Sequence, residues 1–469
     1  MVSSARVHGE GPREACGLVG AWAPGEDVSR LLYFGLYALQ HRGQESAGIA
    51  VSDGQNILVY RELGLVSQVF DERTLATLQG VLGIGHTRYS TTGSTTWDNA
   101  QPTFKTDGSR GLALGHNGNL VNTGELAERV GRRGPATTDS DLVAGLLSRE
   151  ETDLETAALR VLPTLRGAFS FVLMDERTVY GARDPHGLRP LAIGRLRTGW
   201  VLASETAALD IVGAEYVREV EPGELVSIDD RGLRSIRFAE APRHALCLFE
   251  FVYLARADSR LYGRTVHEAR REMGRRLARQ APPPADLVIP VPDTGHSAAA
   301  GFAEESGIPY GEGLIKNRYV HRTFIEPTPA LRQRGVRLKL NPLADTVRGK
   351  RLAVVDDSIV RGTTTRQIVQ MLRDAGAREV HMRITSPPIR WPCFYGIDMS
   401  TEEELVAASM APDEVREFIG ADSLAYLELQ ELVSATDAPA DAFCRACFDG
   451  EYPVEVPGRA PSKHLLERG

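Results

Sequence analysis

Apolar residues follow two different patterns along this chain, and the pattern changes near residue 240. From Cys16 to about Glu240, short apolar runs alternate with glycine-rich turns, which predicts many short β-strands. The predicted strands include Gly17–Trp22, Ile57–Arg61, Val81–His86, Gly111–His116, Ala168–Asp175 and Trp200–Ser204. Helical stretches near Arg30–His41 and Asp139–Leu147 interrupt them. Many strands with a few segregated helices favour an α+β sandwich for this half of the chain.

After about Pro242, strands and helices alternate, which is typical of a parallel α/β sheet. The predicted elements are a helix, two strands, a helix and a strand, at Thr265–Gln280, Leu287–Pro292, Leu352–Val355, Thr364–Asp374 and Glu379–Ile384. The run Pro282-Pro283-Pro284 has the composition of a linker, but the motifs on either side of it work better as one domain. We therefore predict domains at residues 16–240 and 241–469, preceded by a short segment 1–15.

Composition adds three constraints. With 469 residues, 42% of them hydrophobic and 25% charged, the chain has the size and composition of a two-domain globular protein. The net charge of −8 argues against a protein that grips nucleic acid over its whole surface. No apolar run suits a secretory signal or a bilayer span, so we expect a cytoplasmic protein without a membrane partner. In that compartment, the five cysteines are better interpreted as chemistry or metal ligands than as disulfides.

Cys16 opens the string CGLVG, and a cysteine at the start of a strand is more often a small buried hydrophobe than a nucleophile. Its companions change that interpretation. They are HRGQESAG at His41–Gly48, GHTRYST at Gly85–Thr91, GHNGNL at Gly115–Leu120 and TDSD at Thr138–Asp141. These strings, in this order, resemble the glutaminase domain of N-terminal-nucleophile amidotransferases. The resemblance implies an αββα fold for residues 16–240.

A nucleophile of this class must be an N-terminal residue, since its own α-amino group takes the proton of the thiol. That amine has a pKa of about 7.7–8.0 in peptides, close to ideal for a base at neutral pH. The amine of Cys16 is held in a peptide bond with Ala15. The resemblance therefore implies that Met1–Ala15 is a propeptide removed by cleavage before Cys16. The alternative is a start codon assigned too early.

The resemblance also assigns the residues around the nucleophile. The Asn117 side chain and the Gly118 backbone N–H would form the oxyanion hole. Arg88 would bind the α-carboxylate of glutamine, and Asp139 its α-ammonium group. Each residue also has an ordinary structural interpretation: a turn at Asn117–Gly118, a surface ion pair for Arg88 and a helix N-cap for Asp139. All three occur in the same order as in the resembled family, which argues against coincidence.

The string VVDDSIVRGTTT at Val354–Thr365 is the most informative in the second half. An apolar strand leads into two acidic residues and then into a Gly/Thr loop that opens a helix, an arrangement that suits a phosphate group. A strand, turn and helix with solvated carboxylates is the alternative. The full string resembles the phosphoribosyl pyrophosphate (PRPP) motif of type I phosphoribosyltransferases. It implies PRPP binding by Asp356, Asp357, Ser358, Arg361, Gly362, Thr363, Thr364 and Thr365.

Two flanking features support that resemblance. The string VPDTG at Val291–Gly295 follows a strand and is similar to the pyrophosphate loop of the same enzymes. It implies one Mg²⁺ per subunit, bound by Thr294, Asp356 and Asp357. A basic stretch from Lys316 to Lys339 could be a nucleic-acid patch, but a highly anionic sugar phosphate explains it better in an acidic protein. In the resembled enzymes this stretch closes over PRPP and excludes water.

Four cysteines remain: Cys247, Cys393, Cys444 and Cys447. Spacing alone would rank structural zinc first, an iron–sulfur cluster second and scattered buried cysteines close behind. They lie where the cluster-bearing amidotransferases that act on PRPP have their ligands, and a short N-terminal extension accompanies that class. The resemblance therefore implies a structural [4Fe–4S] cluster.

Together the two resemblances imply an enzyme that hydrolyses glutamine and passes ammonia to C1 of PRPP, in the first step of purine synthesis. Purine nucleotides would be feedback inhibitors, and the enzyme would be a homotetramer or a dimer. Two other interpretations are less suitable. A hexosamine-phosphate synthase would not need Asp356 and Asp357, and a regulator that only senses PRPP would not need Cys16. An uncoupled glutaminase with a regulatory second domain remains open at this point.

Overall fold

A computed structural model describes residues 16–89, 94–107, 110–131, 137–240, 243–317, 339–399 and 401–457. Within these residues the first domain is built on two antiparallel sheets, one of seven strands and one of six. The strands of the first sheet, in spatial order, are Glu215–Glu219, Ala192–Arg195, Trp200–Ala203, Gly17–Trp22, Leu82–Arg88, Ser46–Ser52 and Ile57–Leu63. Those of the second are Gly232–Arg237, Glu224–Asp229, Val179–Arg183, Gly167–Met174, Arg110–Leu120 and Thr103–Asp107.

The strands alternate their side chains between two apolar layers. In the first sheet, Leu18 packs between the sheets, whereas Val19 packs with Leu32 and Leu36 beneath the helix Val28–Ala38. The second sheet packs against its own helices in the same manner. The helices of this domain are Val28–Ala38, Val66–Val69, Glu72–Thr77, Thr123–Val130, Asp139–Arg149, Leu154–Val161 and Thr206–Ile211. Helix, sheet, sheet and helix layers confirm the predicted αββα sandwich.

The second domain contains a four-stranded parallel sheet in which the chain order and the spatial order agree. Its strands are Leu287–Pro290, Arg351–Asp356, Glu379–Ile384 and Ser423–Tyr426. Val288 and Val355 pack on one face with the helices Val266–Gln280 and Gly295–Ser306, and Ile289 and Val354 pack on the other face. Among the described residues, the other α-helices of this domain are Ala344–Val347, Thr363–Asp374, Val406–Ser409, Pro412–Ile419, Leu429–Ala435 and Ala446–Asp449. This arrangement confirms the predicted α/β phosphoribosyltransferase fold.

Two short pairings lie outside the main sheets. Leu246–Cys247 pairs in parallel with Phe443–Cys444, and Leu314–Lys316 pairs antiparallel with Leu340–Pro342. The three prolines 282–284 only join a helix to a strand of the same core, so they are not a domain linker. Within the described ranges, no helix is long and apolar enough to cross a membrane.

Candidate active sites

Cys16 lies just before the amino end of Gly17–Trp22, the central strand of the first sheet. The residue is 8% exposed, and its Sγ lies 3.4 Å from the carbonyl oxygen of Tyr89. Burial raises the pKa of the Cys16 thiol to about 11, although the nearby Arg88 guanidinium lowers it. The thiol is therefore neutral at pH 7, and a nucleophilic role requires a base close to Sγ.

Asn117 and Gly118 lie near the end of the strand Arg110–Leu120. The Asn117 side chain is fully buried, and neither its Oδ1 nor its Nδ2 has a hydrogen-bond partner among the described residues. A buried amide without partners costs free energy, so its presence here indicates a ligand that supplies them. Gly118 has a φ of +148°, and a Cβ atom there would lie 2.1 Å from the carbonyl oxygen of Ala168. Only glycine fits this position, because of both its backbone conformation and the close approach of Ala168.

Asp139 is the first residue of the helix Asp139–Arg149 and is buried. Its Oδ2 accepts from the Leu120 backbone N–H at 3.0 Å, so it is tied to the strand that carries Asn117. Burial alone would raise the pKa of Asp139. The His116 ring, 3.6 Å away, together with backbone N–H donors, holds that pKa below its ordinary value. Asp139 is therefore a buried carboxylate that is charged at neutral pH.

The predicted helix N-cap role falls to Thr138, whose side chain accepts from the Asp141 N–H. Asp139 is therefore not the helix N-cap, which was the alternative interpretation of this residue.

A neighbouring set of buried polar groups was not predicted from the sequence. Gln101 donates to Ser140 Oγ at 3.0 Å and accepts from the His116 N–H at 2.8 Å. These groups fix the helix start against the strand.

Arg88 ends the strand Leu82–Arg88 and is 2% exposed, so it is not a surface residue. Its Nη1 lies 3.4 Å from the Ser94 carbonyl oxygen and 3.7 Å from Glu45 Oε2. Arg88, Glu45 and Asp139 all lie close enough to Cys16 to act on its pKa. The structure thus brings together a thiol, a guanidinium and a buried carboxylate, and that carboxylate is tied to the strand that carries the Asn117 amide. The Ser90 and Thr91 of the same string lie outside the described residues.

The acidic pair of the second domain lies at the carboxyl end of the strand Arg351–Asp356, where parallel sheets bind their ligands. Asp356, Asp357 and Ser358 are all buried. Asp357 accepts from the hydroxyls of Thr294 and, at 2.5 Å, of Ser358. Burial, and the Asp357 carboxylate beside it, raise the pKa of Asp356 well above its usual range. A cation or sugar hydroxyls would offset this cost, and solvated carboxylates are therefore the wrong interpretation.

The helix Thr363–Asp374 begins directly after Gly362, which has a φ of +75°. The turn requires glycine for this conformation, and a Cβ atom at Gly362 would also lie 3.0 Å from the Phe418 ring. Thr365 is buried, and in the described part of the chain Thr363 Oγ1 is buried without a hydrogen-bond partner. Arg361 forms an ion pair with Glu404 at 2.8 Å. The loop therefore presents a helix N-terminus and an unpartnered hydroxyl, both of which suit a phosphate.

Thr294 precedes the helix Gly295–Ser306 and contacts Asp357, so the predicted pyrophosphate loop and the acidic pair form one site. Asp293 in that loop forms an ion pair with Lys316, the first residue of the basic stretch. Residues 318–338, which hold most of that stretch, lie outside the described residues.

The four remaining cysteines come together although up to 200 residues separate them. Cys247 and Cys444 are opposite each other in the short parallel pairing. The Cys447 carbonyl oxygen accepts from the N–H groups of Arg390 and Trp391, at 3.0 and 3.2 Å, near Cys393. Each of Cys247, Cys393 and Cys444 acts on the pKa of Cys447, which burial raises well above its ordinary value. The four cysteines therefore lie near one another in the described part of the chain.

A buried ion network joins the two domains and was not predicted from the sequence. Arg42 and Arg189 of the first domain contact Glu250 of the second, at 2.5 and 3.3 Å. Glu205 accepts from Arg42 and, at 2.9 Å, from the Arg256 backbone N–H of the second domain. All four charged side chains of the network are at most 1% exposed. Only Arg42 lies within a motif that the sequence singled out, and its partners are too far along the chain to be inferred.

Known proteins resemble this chain over nearly its whole length. Residues 86–210 match a family described as a glutamine amidotransferase domain. The amidophosphoribosyltransferase of Mycobacterium tuberculosis strain H37Rv is 59% identical to this chain, covering 97% of the chain and 90% of that protein. The solved structure of Bacillus subtilis glutamine PRPP amidotransferase complexed with ADP and GMP is 45% identical, with a TM-score of 0.90. It aligns with 96% of this chain and 100% of its own.

A second solved structure, described as the allosteric regulatory enzyme of purine biosynthesis, has a TM-score of 0.91 and 46% identity. It covers 96% of this chain and 99% of its own. Similarity of this extent covers the glutaminase sandwich, the parallel sheet and the cysteine-bearing tail together. The chain therefore belongs to the amidophosphoribosyltransferase family.

Proposed function

We propose that this enzyme makes 5-phosphoribosylamine, glutamate and pyrophosphate from glutamine, water and PRPP, with Cys16 as its nucleophile. The observation that carries the assignment is the buried Cys16 thiol beside Arg88 and the charged Asp139, which is tied to the strand that carries the buried Asn117 amide. In the first step, Cys16 Sγ attacks the carboxamide carbon of glutamine, and the C–N bond breaks to release ammonia. Water then hydrolyses the thioester to glutamate, and the ammonia attacks C1 of PRPP as pyrophosphate leaves.

A neutral buried thiol needs a proton acceptor, and we propose that the α-amino group of Cys16 supplies it. This requires removal of Met1–Ala15, which lie outside the described residues. We expect the mass of active protein to correspond to a chain that begins at Cys16. We also expect a preparation that retains residues 1–15 to leave glutamine intact while it still uses ammonium. Glutamine hydrolysis by a chain with an intact Ala15–Cys16 bond would contradict the assignment.

Asn117 Nδ2 and the Gly118 N–H would stabilise the oxyanion of both tetrahedral intermediates. Asn117→Ala should lower kcat for glutamine by about a hundredfold to a thousandfold, because one preorganised donor is lost. Ammonium-dependent synthesis and the KM for glutamine should change little, since the amide acts only on the developing charge. Steady-state kinetics with each nitrogen source would check this. A rise in KM alone would instead make Asn117 a substrate-binding residue.

Glutamine itself would be held by its two α-substituents. Arg88 would bind the α-carboxylate through its guanidinium, and the charged Asp139 would accept from the α-ammonium group. Both side chains are buried, so these contacts are shielded from solvent and discriminate strongly against analogues that lack either charge.

At the second site, Asp356 and Asp357 would accept from the ribose hydroxyls, and the loop from Ser358 to Thr365 would bind the 5-phosphate. The Thr363 hydroxyl and the backbone N–H groups at the helix start are the donors available to it. Thr294, Asp356 and Asp357 would hold one Mg²⁺ per subunit, which would neutralise charge on the pyrophosphate.

We also propose that Cys247, Cys393, Cys444 and Cys447 hold a [4Fe–4S] cluster. In the described ranges, no three His, Cys, Asp or Glu side chains converge on a single-ion position. A four-iron cluster is larger than one ion and takes thiolates that stand farther apart. The cluster would tie the Leu246–Cys247 strand to the C-terminal segment.

Cys444→Ser should abolish iron and sulfide incorporation and lower Tm, because the binding free energy of the cluster stabilises the fold. Cys16→Ala is the matched control, since it removes a buried thiol outside the four-cysteine group and should retain full iron content. Elemental analysis of anaerobically purified protein and a thermal melt are the measurements. Normal iron and sulfide in Cys444→Ser would contradict the assignment.

A solved relative supports a proposal on regulation, and the family resemblance supports one on assembly. Because the Bacillus subtilis structure contains ADP and GMP, we propose that purine nucleotides inhibit this enzyme as well. We further propose that it assembles as a homotetramer or a dimer and does not bind nucleic acid.

A further inference from the structure

Where it carries the oxyanion-hole residues, the strand Arg110–Leu120 is paired within its own sheet on one side only. Asn117, Gly118 and Asn119 pair there with Ser170, Phe169 and Ala168 of the neighbouring strand. The positive φ of Gly118 departs from ordinary strand geometry, so its peptide planes need support from elsewhere. That support comes from the second domain.

A turn of the second domain, Phe394–Gly396, lies directly against this strand. The Asn119 Nδ2 donates to the Phe394 carbonyl oxygen at 3.0 Å, and Asn119 is 8% exposed. Gly396 packs so closely that a Cβ atom there would lie 2.9 Å from Gly118 C and 3.0 Å from Gly118 O. Both atoms belong to the peptide between Gly118 and Asn119, so the turn limits the orientation of that peptide and, through it, the backbone conformation of Gly118.

The turn itself is fixed by buried groups of both domains. Arg189 of the first domain donates to the Tyr395 carbonyl oxygen through Nε and Nη2, at 3.1 and 2.8 Å. The Tyr395 ring is 3% exposed and packs with Val121, Ala168 and Leu188 of the first domain. Two N–H groups of Arg189 and the apolar cluster hold the turn in place. The turn can therefore fix the position of the Gly118 backbone that packs against it.

We infer that Asn119 and Gly396 are positioning residues for the glutaminase reaction, which orient the Gly118 N–H through the Phe394–Gly396 turn. The inference rests on the proposed oxyanion role of Asn117 and Gly118. It adds that the second domain completes the glutaminase site, so that the hole is preorganised only when the two domains are docked. Neither Asn119 nor Gly396 contacts the reacting atoms in this account.

The test compares Asn119→Ala and Gly396→Ala with two matched variants. Asn122→Ala removes another buried amide, which bonds to Thr164 O and the Arg166 N–H within the first domain. Gly54→Ala places a methyl group at another glycine of positive φ, +97° against +102° for Gly396, with nothing within 4 Å. Any effect of lost stability or of backbone strain alone should therefore appear in the matched variants too.

We expect kcat for glutamine to fall about tenfold to a hundredfold in Asn119→Ala and Gly396→Ala, because a displaced donor no longer meets the oxyanion. The KM for glutamine and the kcat with ammonium should match wild type, and both matched variants should retain kcat for glutamine. An unchanged kcat, a change in KM alone, or an equal loss with both nitrogen sources would overturn the inference. Wild-type protein that cannot use glutamine at all would overturn the proposed function itself.

Discussion

Cys16→Ala should lower glutamine-dependent synthesis of phosphoribosylamine at least about a thousandfold, because no other group in the site can form the thioester. Ammonium-dependent synthesis should remain at the wild-type rate, since the PRPP site lies in the other domain. Alanine keeps the apolar character of a position that is 8% exposed, so the fold should be retained. Glutamate and pyrophosphate release, each measured with glutamine or with ammonium, separate the two reactions.

Two outcomes would contradict that expectation. Residual glutamine hydrolysis near the wild-type rate would show that Cys16 is a buried structural cysteine. Loss of the ammonium reaction as well would show that Cys16 supports the whole fold. The melting temperature of the variant distinguishes these two results.

Asp357→Asn should abolish synthesis from either nitrogen source, with a loss of at least about a hundredfold in kcat/KM for PRPP. The substitution removes the charge that Thr294 and Ser358 organise, and with it a predicted contact to ribose hydroxyls and Mg²⁺. Glutamine hydrolysis without PRPP should be unaffected. Pyrophosphate release at varied PRPP concentration is the measurement.

Asp286→Asn is the matched control for this variant. Asp286 precedes the strand Leu287–Pro290 of the same sheet and pairs with Arg351, but it lies at the amino end of that strand. Ligands bind at the carboxyl ends of parallel strands, so the control should keep full activity. A loss confined to the glutamine reaction, or an equal loss in the control, would contradict the assignment of Asp357.

Much of the fold could be predicted because the pattern of apolar and polar residues within a short segment indicates a strand or a helix. The strands Gly17–Trp22 and Glu379–Ile384 have the predicted bounds. The helix predicted at Arg30–His41 is instead Val28–Ala38, because the Asp27 side chain caps its start and Gln40–Arg42 forms a tighter turn. Boundaries depend on such single hydrogen bonds, which apolar periodicity does not reveal.

The site residues likewise divide into those that the sequence identifies and those that it does not. Asn117, Asp139 and the Asp356–Asp357 pair were identifiable because their motifs are contiguous in sequence. The Gln101–His116–Ser140 contacts, the Arg42–Glu250–Arg189 network and the Phe394–Gly396 turn were not, because each joins residues that only the tertiary fold brings together. Long-range polar pairing leaves no periodic signal in a single sequence.

The central claim is that this enzyme couples glutamine hydrolysis to the synthesis of phosphoribosylamine from PRPP. This coupling distinguishes the enzyme from an uncoupled glutaminase. The most direct test measures glutamate and pyrophosphate release together, on anaerobically purified protein, with and without Mg²⁺–PRPP. We predict that PRPP strongly stimulates glutamate release and that the two products then form in equal amounts. Glutamate release at the same rate with and without PRPP, and without pyrophosphate, would contradict the account.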